Sequence, residues 1–546
     1  MNLLRTFRTV SQDAFSEAER PAATFSETQR HLAARANPYR NLGGFLRENR
    51  RLRCHAMGKK RSLRGWMGWP LYATLALLVA FAAAAQTGLG EPAALDYDEG
   101  VYLATARLLE EGYTLFDPVF SSQPPGFPET LALAFGLFGD NVLVGREVAV
   151  ASSVVALGAV GWIGGRLAGL PTAPAAVLCL ALPLAFFRQA QIAMPDMPAL
   201  ALSLLAAAVL LPTRGPATLA RCALGGLLFA FALLCKLLVA PMALPLLLLI
   251  VLAEDGDGRW WVRARGALSR LFAFGLASGI CIFLVVSAYD LHSAYDQVVA
   301  FHTAAREAYG LDALSNLRFV WDQLARDATD LGLVVLAAVG LPLLLVRNPL
   351  AAGFLCLWGF AAGLFLALYA PVFDHHVILL LPPVALAAAC GLRLGVHLLA
   401  ARGRRGFRGK TFVLAALVPL ACWGLAWSVE RNLANVPHYR DDPAPKEAIA
   451  LIKLIRAHTE PGDLVAGDAQ MQIFAAGRGT PPNLVDTSRA RIDTGYLTDE
   501  EAIAASENVR MVVFQTERLE RLPRYEEWVR SNFRPVDGAE GAYLRN

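Results

Sequence analysis

Three carboxylates stand within four residues at Asp96, Asp98 and Glu99, in the segment Asp96-Tyr97-Asp98-Glu99-Gly100-Val101-Tyr102. This segment is the first polar stretch after a long apolar run. Charged groups at a lipid boundary are costly to desolvate, so they are either solvated or functional. A carboxylate in such a place can accept a proton from a reacting hydroxyl group. The structural alternative is a water-exposed loop in which an aspartate caps the next helix.

Further ionisable groups stand at the ends of other apolar runs. The stretch from Arg188 to Pro198 contains Asp196, Lys236 separates two runs, and Asp374-His375-His376 precedes another. Each has a structural explanation, because an aspartate can cap a helix and a lysine or arginine at a span end can extend to the headgroups. The histidines can be interfacial or metal-ligating, although adjacent residues do not share a helix face.

The composition is that of a polytopic membrane protein. The 546 residues are 55% hydrophobic and 18% charged, with a mean hydropathy of +0.42. Several apolar runs exceed the roughly 18 residues that indicate a transmembrane helix. We expect eleven spans, near 67–86, 142–164, 172–188, 196–212, 219–235, 237–253, 267–288, 331–347, 350–370, 375–399 and 411–429. A shorter apolar segment at 128–138 is expected to lie at the interface or to re-enter the membrane.

Loop charge predicts the orientation of these spans. The basic loops, including the one with Arg402, Arg404, Arg405, Arg408 and Lys410, all fall on one side, and the acidic loops 87–124 and 289–330 fall on the other. Basic loops are typical of the cytoplasmic side. We therefore expect a cytoplasmic N-terminus and an extracytoplasmic C-terminus, and we expect Asp98, Asp196, Lys236 and His376 to face the same outer compartment.

Three domains are expected. Residues 1–65 are polar and predicted to be disordered, and Met57 is an alternative start of the reading frame. Residues 66–436 are expected to form the membrane domain. Residues 437–546 show alternating helical and strand patterns, which predict a small extracytoplasmic α/β domain. Its stretch from Asp486 to Tyr496 has the composition of a solvated, salt-bridged surface. The alternative is that this stretch helps to select the acceptor, because loops on a rigid scaffold often carry recognition.

These side chains suit group transfer from a lipid phosphate. A carboxylate can deprotonate an acceptor hydroxyl or help to hold a divalent ion. Cations can stabilise the phosphate that departs on a polyprenyl chain, because negative charge grows there in the transition state. The expected partners are membrane lipids and a lipid, glycan or protein acceptor, and no nucleic acid is expected.

Five short motifs occur in one order along residues 66 to 400: D-Y-D-E-G-V-Y with Asp98-Glu99, Q-P-P-G with Gln123, A-M-P-D-M-P with Asp196, C-K-L-L-V-A-P with Lys236, and H-H-V-I-L-L-L-P-P with His375-His376. Their order and topology resemble the GT-C glycosyltransferases that use polyprenyl-phosphate sugars, in the branch with protein O-mannosyltransferases and aminoarabinose transferases. Members of that branch often carry Lys or His at the position of Gln123.

The resemblance implies inverting transfer of a hexosyl or pentosyl sugar from a polyprenyl-phosphate donor, at the outer face of the plasma or inner membrane. It implies a general base at Asp98, with Glu99 orienting it or helping to set its pKa. It also implies that Asp196 holds the acceptor or shares a divalent ion with Asp98. The donor phosphate is expected at Lys236, His376 and Arg306, with further site candidates at Tyr102, Gln123, Arg188 and His375.

The rival interpretation is a transporter or a flippase for lipid-linked glycans. That class is expected to show paired internal repeats and interrupted helices around a site at the membrane midplane. The sequence has no convincing repeat, and its ionisable groups cluster at one predicted face.

Overall fold

Apolar segments of this chain fold as helices, because backbone N–H and C=O groups cannot hydrogen-bond to lipid and must pair within the segment. The computed structural model describes residues 63–86, 89, 96–212, 216–251, 260–402 and 446–546. Nearly all of the predicted N-terminal segment, with Met57, and the predicted span 411–429 lie outside the described residues. The protein is a polytopic helical membrane protein, as predicted.

The helices before the C-terminal region are numbered in chain order among the described residues. They are α1 Leu63–Gln86, α2 Tyr97–Glu110, α3 Gly126–Phe138, α4 Val142–Ala168, α5 Thr172–Ala181, α6 Leu184–Gln189, α7 Asp196–Leu210, α8 Leu219–Cys235, α9 Ala243–Val251, α10 Trp260–Val286, α11 Leu291–Tyr295, α12 Phe301–Tyr309, α13 Ala313–Leu324, α14 Ala328–Arg347, α15 Pro349–Ala367 and α16 Leu381–Arg402.

Five helices in the described part are long and apolar enough to cross a membrane: Gly68–Gln86, Val142–Ala168, Trp260–Val286, Thr329–Arg347 and Pro349–Ala367. Shorter apolar helical segments are Gly126–Phe138, Thr172–Ala181, Asp196–Leu210, Leu219–Cys235, Leu237–Val251 and Leu381–Val396. Each predicted span that falls on described residues coincides with one of these segments. The total of eleven spans and the interfacial position of α3 stay predictions.

One predicted span is interrupted, and Lys236 lies between two others, as the sequence indicates. The span expected at 172–188 is divided into α5 and α6 at Pro183, because proline lacks an N–H and its ring clashes with the preceding turn. Helix α8 ends at Cys235, where Lys236 adopts an extended backbone before the 3₁₀ turn Leu237–Met242. Lys236 therefore lies at a break between two helical segments.

The predicted outer loop 289–330 is largely helical. It contains α11, α12 and α13, and aspartates cap two of these helices. Asp290 accepts the N–H of Ser293 at the start of α11, and Asp312 accepts the N–H groups of Leu314 and Ser315 at the start of α13. Such caps satisfy N–H groups that have no partner within the helix.

The C-terminal region contains a four-stranded sheet. Its strands are β1 Val465–Gly467, β2 Met511–Val513, β3 Phe533–Pro535 and β4 Ala542–Arg545, in the order β1-β2-β4-β3, with β1 parallel to β2 and the other pairs antiparallel. Helices α17 Lys446–His458, α18 Gln470–Ala475, α19 Arg489–Asp493, α20 Asp499–Ala505 and α21 Pro523–Asn532 accompany it. Alternate strand residues enter two apolar clusters, one around Ile455 and the other around Tyr525, because successive side chains point to opposite faces.

Helix α18 lies directly against α2, the helix that begins in the acidic segment. A Cβ added to Gly100 would lie 2.5 Å from Met471 Cα and 2.8 Å from Gln470 C, so only glycine permits this approach. Nearby, the Arg107 guanidinium lies 3.9 Å from the centre of the Phe474 ring and donates to the Arg478 carbonyl at 2.9 Å. The C-terminal region therefore packs against the first polar segment through backbone and side chain.

We predict that Gly100→Ala lowers stability by about 1–3 kcal/mol, because the added methyl group meets backbone atoms that have no rotamer to change. The measurement is the thermal unfolding midpoint of the purified protein in detergent. Gly136→Ala is the matched control, since a Cβ at Gly136 in α3 meets nothing within 4 Å. Equal midpoints for the two variants would show that the α2–α18 contact is not as close as described.

Candidate active site

A buried ion pair positions the first turn of α2. Arg146 Nε donates to Glu99 Oε1 and Arg146 Nη2 donates to Glu99 Oε2, each at 2.8 Å, and the Ala193 N–H donates to Glu99 Oε1 at 2.9 Å. The Glu99 side chain is 0% exposed and that of Arg146 is 5% exposed. Burial raises the pKa of Glu99, while the hydrogen bonds from Arg146 lower it. This two-point geometry fixes the carboxylate in position and in orientation.

Asp98 precedes Glu99 and faces a cavity. Asp98 is exposed to that cavity, and the protein atoms around the cavity partly desolvate its carboxylate. Burial and the neighbouring Asp96 carboxylate raise the pKa of Asp98 to about 6, although His375 and Lys236 act in the opposite direction. The Asp96 carboxylate also caps α2 by accepting the Glu99 N–H at 3.1 Å. Asp98 is thus a carboxylate whose pKa lies close to neutral pH.

Lys236 reaches the same cavity from the break after α8. Its ammonium donates to Asp196 Oδ2 at 2.7 Å, in an ion pair whose side chains are 7% and 0% exposed. Asp196 is the first residue of α7, where the helix dipole favours a negative charge. A Cβ added to Gly126 would lie 2.8 Å from the Leu234 carbonyl carbon, so glycine lets α3 approach the end of α8. These contacts fix the position of the lysine.

The neutral form of His376 presents an N–H donor to the cavity. The Phe373 N–H donates to His376 Nδ1 at 3.2 Å, which leaves the proton of the neutral ring on Nε2. Burial lowers the pKa of His376 well below its usual value, and His375, Lys236 and His302 lower it further. His376 is therefore a neutral hydrogen-bond donor at physiological pH.

The cavity has a volume of about 170 Å³ and brings together segments that are far apart in the chain. Six residues predicted from the sequence line it: Asp98, Tyr102, Gln123, Lys236, His375 and His376. Further lining residues are Ser121, Ser122, Phe301, His302, Tyr369, Phe373, Asp486 and Ser488. A carboxylate, an ammonium group and imidazoles thus line one cavity.

Four other predicted residues do not line this cavity. Glu99 is hydrogen-bonded to Arg146. Asp196 is 2% exposed and is hydrogen-bonded to the Lys236 ammonium. Arg306 is exposed near the end of α12, and Arg188 is half-buried near the end of α6. Among the predicted phosphate-binding residues, the structure therefore brings Lys236 and His376 together and leaves Arg306 outside.

The C-terminal stretch from Asp486 to Tyr496 is only in part the solvated, salt-bridged surface that its composition indicates. Arg489 and Asp493 are exposed, and Asp493 pairs with Arg521, whereas Asp486 is 7% exposed and Arg491 is 2% exposed. The Arg491 guanidinium donates to the carbonyls of Asn483 and Asp486 at 2.6 and 2.7 Å and lies 3.9 Å from the centre of the Phe120 ring. Arg491 is buried because protein oxygens satisfy its guanidinium, which sequence composition cannot reveal.

Several residues of the site were not found from the sequence. Arg146 lies within an apolar run 47 residues after Glu99, and its charge inside such a run is the signal that could have identified it. His302 in α12 donates through Nε2 to the Ser122 carbonyl at 2.9 Å and lines the cavity. Nothing in the local sequence marks His302 or Tyr369 as a site residue.

The donor set does not fit the divalent ion expected between Asp98 and Asp196. Among the described residues, no group of three His, Cys, Asp or Glu side chains could hold a metal ion. The ammonium of Lys236 also occupies Asp196 Oδ2 and would repel a cation there. Asp196 Oδ1 is buried without a hydrogen-bond partner in the described part of the chain.

Comparison with known proteins identifies the fold. Residues 122–288 match a family model described as dolichyl-phosphate-mannose-protein mannosyltransferase. The structure resembles ArnT from Cupriavidus metallidurans bound to undecaprenyl phosphate, with 15% identity, 88% of this chain and 98% of that chain covered, and a TM-score of 0.59. It also resembles apo ArnT from the same organism, with 15% identity, 84% of this chain and 94% of that chain covered, and a TM-score of 0.58.

The resemblance to GT-C glycosyltransferases that the motifs indicate is therefore confirmed at the level of the fold. This chain has the fold of ArnT and carries a segment similar to the mannosyltransferase family. A search of curated protein sequences finds no significant match.

We predict that Arg146→Met destabilises the protein by about 3–5 kcal/mol, because it leaves the buried Glu99 carboxylate without its counter-charge. The thermal unfolding midpoint in detergent measures the effect. Arg530→Met is the control, since Arg530 and its partner Glu526 are solvent-accessible and such pairs contribute little. If both variants unfold at the wild-type temperature, the Glu99–Arg146 pair does not position α2.

Proposed function

We propose that this protein is a GT-C glycosyltransferase that moves a sugar from a polyprenyl-phosphate donor to a hydroxyl group of an acceptor. The observation that carries the proposal is the shared cavity, in which the Asp98 carboxylate lies with the Lys236 ammonium and the His376 ring. The ArnT-like fold and the family match over residues 122–288 support the same chemistry. ArnT itself is bound to undecaprenyl phosphate, which supports a polyprenyl phosphate as the lipid carrier here.

The reaction is a single displacement at the anomeric carbon of the donor sugar. The acceptor oxygen forms a bond to that carbon as the bond from the carbon to the phosphate oxygen breaks. The electron pair of the breaking bond remains on the phosphate, and the acceptor proton moves to Asp98. Because one displacement forms no covalent enzyme intermediate, the configuration of the anomeric carbon is inverted.

Asp98 suits the role of general base. A base is most effective when its pKa lies near the working pH, because it is then both ionised and able to hold the proton. The pKa of Asp98, raised to about 6 by burial and by Asp96, meets this condition. Glu99 and Arg146 act as positioning residues that hold the first turn of α2 against α4 and against Ala193, which precedes α7.

The donor phosphate binds at Lys236 and His376 in this proposal. Lys236 uses one of its three N–H donors for Asp196 and keeps the others for phosphate oxygens. His376 adds a neutral Nε2–H, and both groups stabilise charge that grows on the phosphate. Asp196 then orients the lysine rather than binding the acceptor, while Tyr102, Gln123 and His375 form the walls around the sugar.

The site opens to the extracytoplasmic side of the plasma or inner membrane in this proposal. Loop charge supports that orientation, since the strongly basic loops fall on the opposite side. The membrane domain then comprises residues 66–436, and residues 437–546 form an extracytoplasmic domain whose Asp486 and Ser488 help to close the cavity. An extracytoplasmic C-terminal region places this wall on the side where lipid-linked sugars are used.

We predict that Asp98→Asn lowers transfer at least about 100-fold, because a general base contributes roughly 10²–10⁴ to the rate. The assay follows release of polyprenyl phosphate from a panel of polyprenyl-phosphate hexoses and pentoses in membranes, with protein levels measured in parallel. Wild-type activity should also fall as the pH drops through about 6, because protonated Asp98 cannot accept the acceptor proton.

Asp96→Asn is the matched variant for the pH profile. Asparagine still caps α2 but removes the negative charge that raises the pKa of Asp98. The acid limb of the profile should move to lower pH with activity at pH 8 retained. Full transfer by Asp98→Asn, or an acid limb that does not move in Asp96→Asn, would remove Asp98 from the proposed role.

A further inference from the structure

A second cavity of about 570 Å³ lies between the first polar loop, the segment before α12 and the C-terminal stretch. Asp117, Asp296, Asn483, Arg491, Tyr496 and Glu501 are among the residues that line it. Its volume falls within the range of about 300–1,000 Å³ that is usual for ligand pockets. No role in donor binding or proton transfer is assigned to these side chains.

The charge of this second cavity is negative. Three of its lining residues are carboxylates, and its one lining cation, Arg491, is occupied by protein oxygens. Arg491 Nη2 donates to Asn483 Oδ1 at 2.6 Å, and its Nε and Nη1 groups donate to backbone carbonyls. Three carboxylates against one guanidinium leave a net negative charge on the lining, which would repel a phosphorylated or carboxylated ligand but not a neutral one.

The carboxylates retain capacity to accept hydrogen bonds. Glu501 Oε2 accepts from Thr498, and Asp296 Oδ1 accepts from the Tyr496 hydroxyl at 3.2 Å, which leaves the second oxygen of each carboxylate for a ligand. The Asp117 carboxylate accepts no hydrogen bond in the described part of the chain. Acceptors arranged around a cavity suit a ligand with many O–H donors, and charged acceptors bind such donors more strongly than neutral ones.

The two cavities adjoin each other. Phe120 lines both, and the stretch that contributes Asp486 and Ser488 to the first cavity contributes Arg491 and Tyr496 to the second. A ligand in the second cavity therefore lies beside the space that contains Asp98. This is the position that an acceptor needs to bring a hydroxyl group to the base.

We propose that the second cavity binds the acceptor and that the acceptor is an uncharged carbohydrate. This inference rests on the proposed glycosyl transfer, and it narrows the acceptor class by excluding anionic headgroups from this cavity. The segment Asn483–Tyr496, which contains the buried Arg491, is then the specificity element, and Asp117, Asp296 and Glu501 bind acceptor hydroxyls.

Binding tests the inference separately from activity. The full-length protein in detergent is mixed with neutral trisaccharides of glucose, mannose or galactose, or with trigalacturonate, which carries a carboxylate on each ring. Saturation-transfer NMR measures each affinity. We expect at least one neutral trisaccharide to bind and trigalacturonate to bind at least tenfold more weakly.

The double variant Asp117→Asn, Glu501→Gln should weaken binding of the neutral trisaccharide about tenfold, since hydrogen bonds to charged groups are lost.

The matched control is Glu500→Gln, which removes an exposed carboxylate adjacent to Glu501 and outside the cavity. It should bind the trisaccharide as the wild type does. Absence of neutral binding, equal binding of trigalacturonate, or an unaffected double variant would overturn the inference. Release of polyprenyl phosphate from the donor, measured on the same samples, reports on the proposed function: donor turnover without saccharide binding contradicts the acceptor cavity alone.

Discussion

The buried pair between Glu99 and Arg146 is the interaction on which the site depends. Its two hydrogen bonds of 2.8 Å join α2 to α4, the long apolar helix that contains Arg146. Desolvating two charges is costly, and the attraction between them offsets that cost only when the geometry is good and the other polar atoms are satisfied. Here the Ala193 N–H and the Leu89 carbonyl supply those further bonds.

This pair explains why adjacent acids have different environments. Because Glu99 points into the helix bundle, Asp98 on the preceding position is turned toward the cavity. The ion pair of Lys236 with Asp196 fixes the opposite wall in the same manner. Lys236 is therefore held by a buried partner outside the cavity, and the helix that carries Asp98 is held by the Glu99–Arg146 pair, which preorganises these charges.

The C-terminal region completes the site rather than standing apart from it. Gly100 allows α18 to lie against α2, and the Tyr97 hydroxyl accepts the Thr487 N–H at 2.7 Å. These contacts place Asp486 and Ser488 at the cavity. The segment that we propose selects the acceptor is thus connected, through α2, to Asp98, the residue that we propose accepts its proton.

The sequence predicted the parts of this site that depend on local pattern. Apolar run length located the membrane helices, and acids beside an apolar run located Asp98. Proximity across the chain was not predictable: Arg146 pairs with a residue 47 positions away, and Arg491 is buried by carbonyls that only the folded chain supplies. The break at Pro183 lies within one continuous apolar run, which the sequence analysis treated as a single span, although proline commonly interrupts a helix.

A structure of the protein in lipid nanodiscs with undecaprenyl phosphate tests the central claim most directly. The account predicts that the phosphate lies within hydrogen-bond distance of Lys236 Nζ and His376 Nε2, in the same cavity as the Asp98 carboxylate. A phosphate bound instead at the exposed Arg306 or at Arg188, with the Asp98 cavity empty, would contradict it.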